Sequence, residues 1–154
     1  MAIDKKFIDK FANVTSKAAL ASSYLVGKKD KIAADQVAVD SMRSELNKIE
    51  MTGEIVIGEG ELDEAPMLFT GEILGTKIGP FFDIAVDPVE GTNFAANNLP
   101  GAITVLAIAE KGNLFKAPET YMNKIATSKI EKGLIDLDFT LEKNIRNLAS
   151  YKNK

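Results

Sequence analysis

The sequence predicts an α/β or α+β layered sheet, and three observations carry that prediction. Two apolar stripes at helical spacing fill the chain before Gly53, β-branched and apolar runs follow it, and a last helical stretch opens near Thr140. Helices that come before the strands, with one more at the end, point away from a strict βαβ alternation.

Between residues 4 and 26, Ile8, Phe11, Val14, Ala18 and Leu25 recur at helical spacing, with Asp4 as the expected N-cap and Gly27 as the stop. A second helix is expected from Asp30 to Ile49, through Val39, Met42, Leu46 and Ile49, until Met51-Thr52-Gly53 breaks it. At about 100° per residue, Asp35 and Lys31 fall in that same stripe. Ile55-Val56-Ile57 then reads as a strand that runs into Gly58-Glu59-Gly60-Glu61, an acidic loop no central strand tolerates. Phe81 to Val86 reads as a second strand, ending in Asp87-Pro88-Val89-Glu90-Gly91-Thr92. Ala102 to Ala109 and Leu114 to Ala117, joined across Glu110-Lys111-Gly112-Asn113, give a hairpin signal. A short strand is expected at Leu134-Ile135, and a helix from about Thr140 carries Leu141, Ile145 and Leu148.

The chain has 154 residues, 45% apolar and 27% charged, close to an ordinary globular domain, which excludes disordered and collagen-like classes. That length suffices to bury about 70% of the unfolded surface in one core, so one domain is the default expectation. Lys and Arg number 19 against 22 Asp and Glu, a net charge of −3 with no block of like charge, which argues against nucleic-acid and acidic-membrane partners. No stretch reads as a signal peptide or a membrane span, so a cytoplasmic protein is the expectation. The sequence contains no Cys and no His. Disulfides, thiolate nucleophiles, Cys/His zinc sites and His general bases are thereby excluded. Chemistry must run on carboxylates, Lys, hydroxyls and hard metals.

Four acids stand at the ends of apolar elements: Asp35 on a helix face, Glu59 after one strand, Asp87 and Glu90 after another. Crowded carboxylates repel one another and resist desolvation, so a positive charge should offset them. Oxygen-only ligands select Mg2+, Mn2+ or Ca2+, and Mg2+ completes its shell with water and substrate phosphate. Gly91 and Thr92 add close-approach N–H groups and a hydroxyl beside the two carboxylates of the acidic turn. Two metals there activate a water and neutralise a leaving alkoxide, with Glu59, Asp63 or Thr92 orienting that water. Singly, each feature has an ordinary structural reading: Asp87-Pro88 as a turn, Gly58-Glu59-Gly60-Glu61 as a solvated loop, Lys31 as an ion-pair partner of Asp35. Their occurrence together in one short stretch favours the metal site.

Longer strings carry a resemblance. Residues 27–35 (Gly27 to Asp35), 55–68 (Ile55 to Leu68), 83–92 (Asp83 to Thr92), 116–125 (Lys116 to Ile125) and 132–137 (Lys132 to Leu137) make the chain similar to the bacterial class II fructose-1,6-bisphosphatases. The acidic turn alone also resembles the wider lithium-sensitive, metal-dependent phosphatase superfamily, which includes inositol monophosphatases. The resemblance implies the layered sugar-phosphatase fold, with two N-terminal helices packed on a mixed sheet. It implies hydrolysis of the 1-phosphate of fructose 1,6-bisphosphate to fructose 6-phosphate and phosphate, a gluconeogenic step that needs Mg2+ or Mn2+. Metal ligands carry over to Asp35, Glu59, Asp87 and Glu90, and sugar-phosphate contacts to Glu90, Gly91, Thr92 and Tyr121. Lys31, Asp63 and Thr92 match positions used around the attacked phosphate.

The main departure is length: family members continue into a second α/β half, so residues 1–154 correspond to the N-terminal metal- and phosphate-binding portion. Two rival readings follow, a catalytically inactive metal- and phosphate-binding fragment, and a superfamily phosphatase acting on sedoheptulose bisphosphate or an inositol phosphate. A homo-oligomer is expected as well, because a sheet ending here leaves an unpaired edge and an uncovered apolar face.

Overall fold

A computed structural model describes residues 3–60, 67–116 and 122–153. The chain divides into two units, 1–117 and 118–154.

The first unit opens with α1 (Lys6–Ser23), whose buried stripe is Phe7, Phe11, Val14, Ala18 and Ser22. The N-cap is Lys5 rather than Asp4 and has no side-chain cap bond; Asp4, one residue earlier, accepts from the Lys6 N–H with its Oδ1 at 3.0 Å. The stripe runs one residue out of phase with the expectation at its beginning: Phe7 is buried and Ile8 is exposed. In α2 (Lys31–Leu46) Asp30 is the N-cap, accepting from the Ala33 N–H at 2.9 Å, and Ala34, Ala38, Val39, Met42 and Leu46 are buried. Lys31, the first residue of α2, is exposed, because the buried face is established only one turn later.

Four strands form one mixed sheet in the order β2-β1-β3-β4. They are β1 (Thr52–Ile57), β2 (Ile73–Leu74), β3 (Phe81–Glu90) and β4 (Ile103–Glu110). β1 and β3 run parallel, while β2 on β1 and β4 on β3 are antiparallel. Because side chains alternate along a strand, Phe82, Ile84 and Val86 of β3 enter one core with the apolar stripes of α1 and α2. Phe82 packs edge-on against Phe7, ring centroids 5.1 Å apart, and against Phe11 at 6.0 Å. On β4, Leu106 and Ile108 join that core while Ile103 and Val105 are exposed.

Two expected strands are absent, and in both places side chains take the backbone groups a ladder would use. After β4, the described residues Leu114–Lys116 of the expected strand Leu114 to Ala117 do not return as a second hairpin strand, and Ala117 lies outside the described residues. Asp83, buried in the middle of β3, accepts instead from the N–H groups of Gly112 (2.7 Å) and Leu114 (3.2 Å). Glu54 lies beside Asp83 in the β1–β3 register and pairs with Lys111 and with Lys116, the latter at 2.9 Å. Asp83→Ala leaves two donors without their acceptor, and a loss of about 2 kcal/mol is expected in urea unfolding. The lysines hold the Glu54 carboxyl below its ordinary value of 4.5. Its stabilising contribution is therefore present above pH 4.5 and lost as pH falls through the lower folded value. A Glu54→Gln chain is expected to show a flatter fall in melting temperature below pH 4.5 than its parent.

In the second unit, Leu134-Ile135 lies in turns that feed α4 (Leu141–Tyr151). The Asn147 amide donates to the Leu134 carbonyl at 2.8 Å, and Asn144 bonds both the N–H and the carbonyl of Asp136. Thr140 caps α4 by accepting from Lys143 N–H at 3.2 Å. No described residue of α4 is buried, and Leu141 and Ile145 are exposed.

Candidate metal and phosphate site

β1 and β3 are parallel neighbours, so the strand ends before Glu59 and at Asp87–Glu90 lie at the same end of the sheet. Glu59 follows β1 by two residues, and its backbone N–H is held by the Leu68 carbonyl at 3.0 Å. Gly58 permits that approach: a Cβ there would lie 2.1 Å from the Leu68 carbonyl oxygen.

The acidic turn is part of β3, which extends through Glu90 rather than ending at Val86. Asp87 faces Val105 and Glu90 faces Ile103, so β3 carries one residue more than β4 over this interval. Such a bulge bends the strand and re-aims its side chains. Asp87 and Glu90 are thereby brought within reach of each other, so that a proton held by one can bridge the two carboxyls. Gly91 then adopts a left-handed conformation (φ 84°) to start the short helix α3 (Thr92–Ala96), which the sequence did not announce, with Thr92 as its first residue. The turn between α1 and α2 is tied to α3, since Gly27 N–H and Lys29 N–H donate to the carbonyls of Ala95 and Ala96, both at 2.9 Å.

Carboxylate charge accumulates at Asp87, Glu90 and Asp35. Burial, followed by the hydrogen bond and charge of Glu90 and the charge of Asp35, pushes Asp87 from 3.8 up to about 6. Burial alone pushes Asp35 up. Each carries a buried Oδ1 with no hydrogen-bond partner. Among the described residues no group of three acids is close enough to close on one ion. The arrangement is a close pair, Asp87 and Glu90, with Asp35 within reach of its charge. One or two carboxylates, water and substrate phosphate are what Mg2+ ordinarily takes, so the donor set fits such an ion.

The remaining predicted positions divide in two. Gly91 and Thr92 sit beside Asp87 and Glu90 in sequence and structure, whereas Asp63 and Tyr121 lie outside the described residues. Sequence reasoning did not single out Arg43 or Glu72. Arg43 lies on α2 outside its buried face, and nothing in the spacing marks its partner 29 residues on.

Residues 5–154 match the family of bacterial fructose-1,6-bisphosphatases, glpX-encoded. The chain belongs to this family. It is 48% identical over 147 residues to the D-fructose 1,6-bisphosphatase class 2/sedoheptulose 1,7-bisphosphatase of Prochlorococcus marinus strain MIT 9303, covering 96% of this chain and 44% of that protein. The enzyme of the same name from Synechococcus sp. strain CC9605 is also 48% identical over 147 residues, with the same coverage of both chains. The fructose-1,6-bisphosphatase class 2 of Haemophilus influenzae is 49% identical over 145 residues, 94% of this chain and 44% of its own. The chain thus spans less than half the length of these relatives. No helix among the described residues is long and apolar enough to cross a membrane.

Proposed function

We propose that this chain forms the metal- and phosphate-holding part of a class II fructose-1,6-bisphosphatase, which hydrolyses the 1-phosphate of fructose 1,6-bisphosphate. The observation that carries this reading is the close Asp87–Glu90 pair at the β3 bulge, with Asp87 pushed up to about 6 and buried Oδ1 atoms of Asp35 and Asp87 unpartnered among the described residues. The relatives' names supply the substrate.

In the proposed site Asp35, Glu59, Asp87 and Glu90 hold Mg2+ or Mn2+. When bound, such ions lower the pKa of an attacking water and offset charge on the phosphoryl oxygens and the leaving alkoxide. The chain's own groups do the positioning. Gly91, without a side chain, lets the phosphate approach the backbone, and the Thr92 hydroxyl at the start of α3 orients water or a phosphoryl oxygen. Lys31 is free of burial and extends an ammonium toward an anionic substrate, while Asp63 and Tyr121 take the water-orienting and sugar-contacting roles of the family pattern. We further assign the protein to the cytoplasm and to a homo-oligomer, the latter on the exposed Ile103 and Val105 of β4, whose outer edge pairs with no described strand.

The test is phosphate release from fructose 1,6-bisphosphate with Mn2+, Mg2+ or EDTA, beside Mn2+ titration calorimetry on the same chain. Metal binding with metal-dependent release is the expected result. Faster release from sedoheptulose 1,7-bisphosphate or an inositol phosphate would reassign the substrate. Binding without release would leave the chain a metal holder only, and absence of Mn2+ binding would overturn the site.

A further inference from the structure

We propose that Arg43 is a positioning residue for the metal site: its guanidinium fastens the segment that holds Glu59 to the helix that carries Asp35. The inference rests on the site reading above. Arg43 Nε and Nη2 grip both oxygens of Glu72, at 2.7 and 3.1 Å, and Nη2 also donates to the Met67 carbonyl at 2.5 Å. One planar fork thus closes on both ends of residues 67–72, a geometry that Lys cannot reproduce. Glu72 is more deeply buried than Arg43, with side chains 13% and 25% exposed, so water competes little for the pair.

The clamped segment is not incidental to the site. Leu68, fully buried, presents the carbonyl that takes the Glu59 N–H. At its other end the Glu72 carbonyl accepts from Ile55 N–H at 2.9 Å, and Gly71 N–H donates to the Ile55 carbonyl at 2.7 Å, so β1 is bound on both sides of the turn that leads to Glu59. The load path runs from Arg43 through Met67 and Leu68 to the backbone of Glu59. Asp35 stands on the same rigid helix as Arg43, eight positions earlier, so the fork fixes one acid's backbone relative to the other's. Outer groups that orient ligands in this way are worth about 10–100-fold in metal affinity when removed.

Two readouts test the proposal. In Arg43→Lys and Glu72→Gln, amide exchange at Glu59, followed by NMR, is expected to quicken about tenfold while Val14 and Ala18 in α1 keep their protection. Mn2+ affinity is expected to fall about tenfold in Arg43→Lys, yet to change little when the same substitution is made in a Glu59→Gln background. A merely structural Arg43 would weaken Mn2+ binding equally in both backgrounds, and that result overturns the proposal, as does unchanged exchange at Glu59. Mn2+ binding that is lost in Asp87→Asn but untouched in Arg43→Lys overturns the positioning role alone. No Mn2+ binding by the parent chain overturns the site reading and the role that rests on it.

Discussion

Asp87→Asn is expected to abolish Mn2+ binding while leaving the metal-free chain at least as stable as its parent. The two effects have opposite signs because they have one cause. Asp87 is half-buried against Glu90 and Asp35, and its carboxyl is pushed up to about 6 in the folded chain against 3.8 in the ordinary state. A carboxyl raised in this way contributes stability that is fully present below pH 3.8 and lost as pH rises through about 6. At neutral pH the parent without metal therefore carries a charge its surroundings oppose, and Asn removes it. With metal the balance reverses, since an ion that binds only the folded chain adds about 2.7 kcal/mol at a hundred times its Kd. Melting curves with Mn2+ and with EDTA check both arms: the Mn2+ shift should vanish in the variant, and the EDTA curve should not move down. The parent in EDTA should also melt higher at pH 5 than at pH 7.5, by more than the variant does.

Phe82→Ala is expected to unfold the first unit at ordinary temperature or leave it without a cooperative transition. Phe82 is 3% exposed and makes edge-to-face contacts with both Phe7 and Phe11, the two large rings that α1 contributes. Truncating a buried Phe costs about 3–5 kcal/mol, through lost transfer energy and the cavity left behind. Domains have only about 5–15 kcal/mol in total. Circular dichroism during urea titration reads the effect. Phe81, its 60% exposed neighbour, serves as the control and should cost little when replaced by Ala.

Helices were legible wherever an apolar stripe met a cap, as at Asp30 and Thr140, whose side chains accept the expected N–H groups. The Asp87–Glu90 cluster was legible too, as two acids flanking a Pro at the end of an apolar strand. What local pattern could not show was competition for backbone groups by side chains distant in sequence. Glu110-Lys111-Gly112-Asn113 has the composition of a hairpin turn, yet the N–H groups of Gly112 within it and Leu114 just after it are taken by Asp83, 29 and 31 residues earlier. Leu134-Ile135 has the composition of a strand, yet Asn147 takes the Leu134 carbonyl. β2 is two residues long and α3 five, too short for periodicity to register. Lys31 shares the phase of Asp35 and Val39 but lies at the helix end, beyond the core, so the stripe does not bury it.

The parallel pairing of β1 with β3 also sets an order of assembly. β4 returns to β3 across residues 91–102, whereas β1 reaches β3 only by closing 58–80, and the longer closure costs more chain entropy before any contact offsets it. Asp87 and Glu90 therefore meet early, on the β3–β4 ribbon, and the β1 end bearing Glu59 arrives late. Truncations at Ile84 or Leu106 should slow refolding, and truncation at Ile55 should chiefly hasten unfolding. An ion held at the proposed site by Glu59, Asp35 and the early pair is expected to act after the folding barrier, so Mn2+ should slow unfolding and leave the refolding rate unchanged.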